Sequence, residues 1–321
     1  MKTALIAAAA LVLISQSALG DSKKSCPAAL KTFPFLKPWA QKLENFSTPT
    51  TTGNTSDSLL YAIGATLVKK GAASRWMGDS FKQPVQSGRY ETKVLGDYNN
   101  SSTDGLWNGF WTALLTPVER ELLSQCKAGN CKIKFNDHEL EAIGANETPK
   151  GRETLFRDIV GRRVTHYKTN GTLASYEGST EFSAVEKVLL GREFPRELAK
   201  EFWFPKERKF FGFEVLDSQP GRHRPVTALF SRHCESRGQG KAAYTACSDL
   251  VIYNNHYFDF WGRIVLFFPW CDNELALAYE SADVDQLKSS RVARMLFGGE
   301  MRQLFGLLLE TRLRRLHMLG S

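Results

Sequence analysis

From Phe202 onward the chain runs in short β-branched and aromatic stretches broken by Pro, Gly or polar turns: KFFGFEVLD, RPVTALFSRHC, CSDLVIYNN, GRIVLFFPW and ELALAYES. That rhythm predicts successive strands joined by short connections, which is an antiparallel sheet. Beyond it, SSRVARMLFGGEMRQLFGLLLETRLRRLHML carries a helical period, with an interruption expected at Gly298-Gly299.

The first half reads differently. In TPVERELLSQCKAG, Thr116 can cap a helix, Pro117 suits its first turn, Glu119 can complete a capping box and Gly129 can end it. DSLLYAIGATLVKKG predicts a second helix, capped by Asp57, with Leu60, Ile63 and Leu67 on one face and Gly71 as the stop. CKIKF alternates as an edge strand would, with Ile133 and Phe135 inward. A strand pair is expected around the Asn170-Gly171 turn. NFSTPTTTGNTSDS, rich in Thr, Ser, Gly and Pro, predicts a linker.

Together these elements predict an α+β fold. A curved antiparallel sheet occupies the C-terminal half, covered by helices from the first half, and the long C-terminal helix packs across its concave face. The expected organisation is a signal peptide over 1–20, an N-terminal segment and linker over 21–58, and a single α+β domain over 59–321.

The signal peptide is read from MKTALIAAAALVLISQSALG, with an early lysine, an apolar run from Ala4 to Ile14, and small residues at Ala18 and Gly20. The run is too short for a stable span, which takes about 20 apolar residues. Export to a periplasmic or extracellular compartment makes the six cysteines disulfide candidates. Proximity favours Cys126 with Cys131 and Cys234 with Cys247, leaving Cys26 and Cys271 free or paired with each other. His233 beside Cys234 and Cys247 lacks the repeated ligand pair of a structural zinc site, so no metal is expected.

A net charge of +8 and a pI near 9.1 suit an acidic partner. For an exported chain that partner is an anionic membrane surface rather than nucleic acid. The C-terminal segment supplies the candidate contact: Leu304, Leu307, Leu308 and Leu316 form an apolar stripe, with Arg302, Arg312, Arg314 and Arg315 around it. Glu280, Asp283 and Asp285 lack the pattern of a calcium loop and are expected at a helix N-terminus. With no phosphate loop, dinucleotide fingerprint or kinase signature, no cofactor is expected.

Three islands carry a resemblance: QCKAGNCKIKF, a Cys-x-x-Gly-x-Cys ahead of a short strand; NNHYFDFWGRIVLF, with its His-Tyr-Phe-Asp; and ALAYESADVDQLKSSRVARMLFGGEMR, leading to a Gly-Gly-x-x-Arg. In order and spacing, from Cys126 to Arg302, they resemble an uncharacterised family of exported bacterial proteins. Where that family often carries Arg-Ser-Arg-x-Asp, this chain has Ser281, Ala282, Asp283, Val284 and Asp285. The resemblance implies no reaction. It implies that Cys126 and Cys131 act as a unit and that the His256 segment belongs to the core architecture.

Two functional readings follow from YNNHYFDFWGRIVLFF. In the first, Tyr253, His256, Phe258 and Trp261 line the sheet's inner wall and hold an apolar or lipid-like ligand, since such sites are mostly aromatic with a few placed polar groups. In the second, His256 and Asp259 form the dyad of a hydrolase, which requires a turn or bulge to bring them to one side. The non-enzymatic reading is preferred, because no serine lies in a nucleophile elbow.

Overall fold

The computed structural model describes residues 26–43, 51–54, 59–78, 85–86, 90–97, 104–127, 130–170, 210–216, 224–284, 287 and 291–318. Among these residues nine strands form one antiparallel sheet: β1 (Thr51–Asn54), β2 (Leu59–Lys69), β3 (Val85–Gln86), β4 (Tyr90–Asp97), β5 (Phe210–Leu216), β6 (Val226–Arg237), β7 (Tyr244–Asn254), β8 (Phe258–Trp270) and β9 (Asn273–Val284). Their spatial order is β1-β2-β9-β8-β7-β6-β5-β4-β3. The five strands expected past Phe202 are all present, and each pairs with the next in sequence, as short turns require.

The strands are apolar on both faces because both are covered. On β8, Ile264, Leu266, Phe268 and Trp270 enter one core, while Trp261, Val265 and Phe267 enter the other. The first core faces α1 (Pro27–Thr32), α2 (Lys37–Gln41), α4 (Asp104–Leu114), α5 (Pro117–Gln125), α6 (Asp137–Ala145) and α7 (Pro149–Asn170). The second faces α3 (Ala72–Gly78) and the C-terminal helix α8 (Arg291–Met318). Side-chain size differs between the faces: β9 presents Leu275, Leu277 and Tyr279 to the first core, but Ala276, Ala278 and Ala282 to the second. Small residues let α8 settle closely on β1, β2 and β9. Gly306 marks the nearest approach, since a Cβ there would stand 3.1 Å from Thr52 Cγ2.

The sheet is curved, and α8 lies in its concave side. Strands sit about 4.8 Å apart, so a flat sheet would hold β5 and β9 about 19 Å from each other. Yet Glu214 of β5 and Glu280 of β9 both bond the guanidinium of Arg312 on α8. Only a face whose limbs incline toward the helix brings those carboxylates to one group.

Several expectations are corrected. Leu59–Lys69 is a strand, not a helix: every residue pairs with β9, with Ile63, Ala65 and Leu67 in the first core and Leu60, Ala62 and Val68 in the second. A helix would have left one of those apolar sets exposed. Residues up to 170 form α7 rather than the first arm of a hairpin, because Phe156, Ile159, Val160 and Val164 bury one helical face. The second arm lies outside the described residues. CKIKF makes no strand, although Ile133 is buried and Phe135 packs 5.3 Å from Phe156. Gly298-Gly299 does not break α8.

The described residues on either side of position 58 share one core. The expected linker supplies β1, and Phe33, Leu36 and Trp39 belong to the first core. Cys26 is bonded to Cys271 in the β8–β9 turn.

Candidate functional site

Four consecutive strands each place one charged side chain at the same level of the concave face. In register, Arg232 of β6 faces Asp249 of β7, Asp249 faces Arg263 of β8, and Arg263 faces Glu280 of β9. The row ends at Ala62 of β2. Directly opposed residues on one sheet face are the closest cross-strand neighbours, so the alternating signs are set by the pairing itself.

Arg232 donates from Nε and Nη2 to the two carboxylate oxygens of Asp249. Its guanidinium stacks 4.2 Å from the ring centre of Trp76 on α3, whose carbonyl accepts from Nη1 at 3.4 Å. Arg263 Nε stands 3.1 Å from Asp249 Oδ2, and Nη1 donates to Glu214 Oε2 at 3.0 Å. From above, Arg312 donates Nε to Glu280 Oε2 at 2.8 Å and Nη2 to Glu214 Oε1 at 3.3 Å. Trp261 Nε1 completes the set, donating to Glu280 Oε1 at 2.6 Å.

All six ionisable groups are buried, and Glu214 and Glu280 are wholly inaccessible. Three arginines balance three carboxylates. Burial alone would raise the Asp249 carboxyl, but Arg232 and Arg263 outweigh it and hold the group below the ordinary aspartate range. Removing such pairs from water costs about as much as their attraction returns. The lattice therefore contributes specificity of arrangement more than stability.

Around this polar level the concave face is apolar: Phe230, Val251, Phe258, Trp261, Val265 and Phe267, roofed by Met301, Phe305, Leu309 and Leu313 of α8. Arg312 is thus a cation inside an apolar helical stripe. It does not belong to the outer surface where the sequence placed it. Arg302 and Arg314 are exposed, as are the large apolar side chains of Met295 and Leu307. The side chain of Arg315 lies outside the described residues.

The four residues expected to share one wall are divided by the sheet. Tyr253 sits in the core of the first-half helices, whereas Phe258 and Trp261 sit in the core beneath α8, 5.2 Å apart. Two bulges explain the division: the ladder slips between Leu229 and Phe230 and again between Phe258 and Phe260, which re-aims the ends of β7 and β8.

His256 occupies the turn between those strands. The turn is fixed by Asn255 Oδ1 accepting from Thr227 N at 2.8 Å and Asn254 Nδ2 donating to the Phe258 carbonyl at 2.9 Å, with Tyr257 in the left-handed region at φ 67°. Both ring nitrogens of His256 are engaged. Nδ1 lies 2.8 Å from the Lys132 carbonyl, and Nε2 lies 2.8 Å from Glu119 Oε1 on α5. A carbonyl only accepts, so Nδ1 donates. The imidazole is thereby committed to Glu119 rather than Asp259, whose side chain lies outside the described residues. Thr116 caps α5 as expected, accepting from Glu119 N at 3.3 Å, but the Glu119 carboxylate turns to His256 instead of closing the capping box.

The disulfides are Cys126–Cys131, Cys234–Cys247 and Cys26–Cys271. Glu280 and Asp283 lie on β9, not at a helix start. Among the described residues no group of three His, Cys, Asp or Glu side chains is placed to hold a metal ion, and no helix is long and apolar enough to cross a membrane.

Sequence reasoning missed the charged row, although one signal for it was present. Once Cys234 is bonded opposite Cys247, two steps along each strand bring Arg232 opposite Asp249 on the same face. Glu214 and Arg312 carried no comparable signal, because only the curvature of the sheet brings them there. Comparison with known proteins finds no matching family model, no matching curated protein and no matching solved structure.

Proposed function

We propose that the protein is an exported, non-enzymatic binding protein that holds an apolar or lipid-like ligand between the concave sheet face and α8. The observation that carries this reading is the composition of that face: one narrow charged level, with Trp261 bonded into it, set in an otherwise apolar wall beneath a single helix. A few placed polar groups in an apolar lining is the usual make-up of a ligand site. The ligand wall is thus Phe258 and Trp261, with Phe305 facing them from α8. Tyr253 and His256 have no part in it.

Two further features support the exported, surface-associated part of the reading. Three disulfides fit an oxidising compartment. The outer face of α8 carries Arg302 and Arg314 with Met295 and Leu307, which suits docking on an anionic bilayer. The hydrolase reading loses its support because the His256 ring is already committed on both sides.

The test is native mass spectrometry of the protein taken from its own compartment, followed by solvent extraction. Recovery of a stoichiometric amphiphile supports the reading. Ligand-free protein that also fails to enhance a bound apolar fluorophore would sink it. Binding to anionic vesicles should weaken as salt rises.

A further inference from the structure

The charges under α8 divide unevenly between sheet and helix. Among the described residues under α8 the strands contribute Arg232 and Arg263 against Asp249, Glu214 and Glu280, one negative charge in excess. Asp249 is taken by both strand arginines, bonded by Arg232 and approached by Arg263 at 3.1 Å. The excess therefore falls on Glu214 and Glu280, where Arg263 makes one bond to Glu214, Trp261 donates to Glu280, and Arg312 bonds both carboxylates. Arg312 reaches both carboxylates with its Nε and both terminal nitrogens, the planar fork that a guanidinium presents.

We infer that the Glu214 and Glu280 carboxylates form a cation seat, that Arg312 is its built-in occupant, and that the ligand held beneath α8 carries a cationic head. This rests on the binding reading above. For a ligand to enter between helix and sheet, α8 must shift and Arg312 must leave the seat. What remains is a buried, uncompensated negative charge, whose cost is far greater inside the protein than in water. A guanidinium or ammonium head replaces Arg312 charge for charge. Its apolar tail would lie against Trp261, which is bonded to Glu280, and against Phe258 and Phe305, packed in turn beside that ring. An anionic head would add a second negative charge to the first. The built-in arginine thus acts as a competitor that keeps the seat neutral when no ligand is present.

Chemical rescue tests the seat. In Arg312→Ala, ethylguanidinium at about ten times its Kd should raise Tm by roughly 3 °C, while sodium at equal ionic strength should not. Wild-type protein and the Arg312→Ala, Glu280→Gln double variant should show no such rise. If Arg312→Ala does not fold, wild-type protein is titrated with dodecylguanidinium and with laurate below their micelle concentrations and read by native mass spectrometry. The cationic chain should bind at least tenfold more tightly. Absence of rescue beyond the sodium control, or tighter laurate binding, overturns the inference. Rescue without binding of either chain leaves the seat standing and removes the ligand reading, whereas a co-purified anionic lipid does the reverse.

Discussion

Arg263 on β8 donates to Glu214 on β5 at 3.0 Å across the two strands that lie between them. Neighbours in a sheet interact one strand apart. A bond that skips two strands exists because the face is folded inward, and it ties the sheet's curvature to its charge. The same carboxylate receives Arg312 from the helix, so curvature, lattice and helix position are one arrangement.

Asp249 is the hinge of that arrangement, because it separates Arg232 from Arg263. Asp249→Ala should leave two buried guanidinium groups facing each other and cost about 3 to 5 kcal/mol in urea unfolding. Combined with Arg232→Met, the loss should shrink, since one of the stranded charges is then gone. A double variant whose loss equals the sum of the two single losses would show that the row is not coupled.

The same group sets an acid limb. Its folded carboxyl is held below the ordinary aspartate range despite burial. A depressed folded value means that the stabilisation is present in full above the unfolded pKa, about 3.9, and is lost as pH falls through the folded one. Stability measured from pH 6 downward should therefore decline below about pH 4. In Asp249→Asn that decline should be shallower, the starting stability being lower.

On the opposite side of the sheet, the bond between His256 and Glu119 joins the β7–β8 turn to α5. Nδ1 donates to Lys132, so the contact at Nε2 must place a proton between nitrogen and carboxylate. Glu119→Gln should be nearly silent, because an amide N–H can donate to the bare nitrogen. Glu119→Ala should cost about 1 to 3 kcal/mol by leaving that nitrogen buried and unpartnered. Denaturation curves for the two variants separate this structural role from a catalytic one, to which the choice of Gln or Ala would matter little.

The parts of the fold that were legible are those written in local pattern. Five strands follow from alternating runs and short turns, α5 follows from Thr116 and Pro117, and two disulfides follow from proximity. What failed were segments whose partners are distant. Leu59–Lys69 has a helix-like face only if Ala62, Ala65 and Val68 are ignored, and its strand exists because β9, more than two hundred residues later, needs a neighbour. The site was less legible than the fold. The charges of the row stand among others on the same strands, such as Glu235 on β6 and Glu274 on β9, and only register turns four of them into a row. Arg312 was misplaced for a related reason: a helical period locates a stripe, but not which carboxylates wait beneath it.

The disulfides should differ in what they contribute. Cys26–Cys271 closes a span of 245 residues, whereas Cys126–Cys131 spans 5. In the chain-entropy account, stabilisation grows with the logarithm of loop length, giving about 5 kcal/mol for the first and about 2 for the second. Paired Cys→Ser variants, each with the other bridges intact, should unfold in that order of urea midpoint. The long bridge also holds Phe33 and Trp39 onto the sheet, so its loss should expose their core to quenchers.

Tyr253 offers a test of which side of the sheet works. It is almost wholly buried against Phe156, with Arg163 over its ring at 5.3 Å, and its hydroxyl has no hydrogen-bond partner. Burial pushes that hydroxyl well above its ordinary pKa, so it stays neutral and unused. An unsatisfied buried polar group costs about 1 to 3 kcal/mol. Tyr253→Phe keeps the ring, the packing and the arginine contact while deleting only the unpartnered oxygen. It should therefore be neutral or more stable by about 1 kcal/mol, with binding of an apolar fluorophore unchanged. Trp261→Phe, which removes the donor to Glu280, should lose both stability and binding. If instead Tyr253→Phe abolishes binding and Trp261→Phe does not, the ligand wall lies on the side of the first-half helices and the seat beneath α8 is only structural.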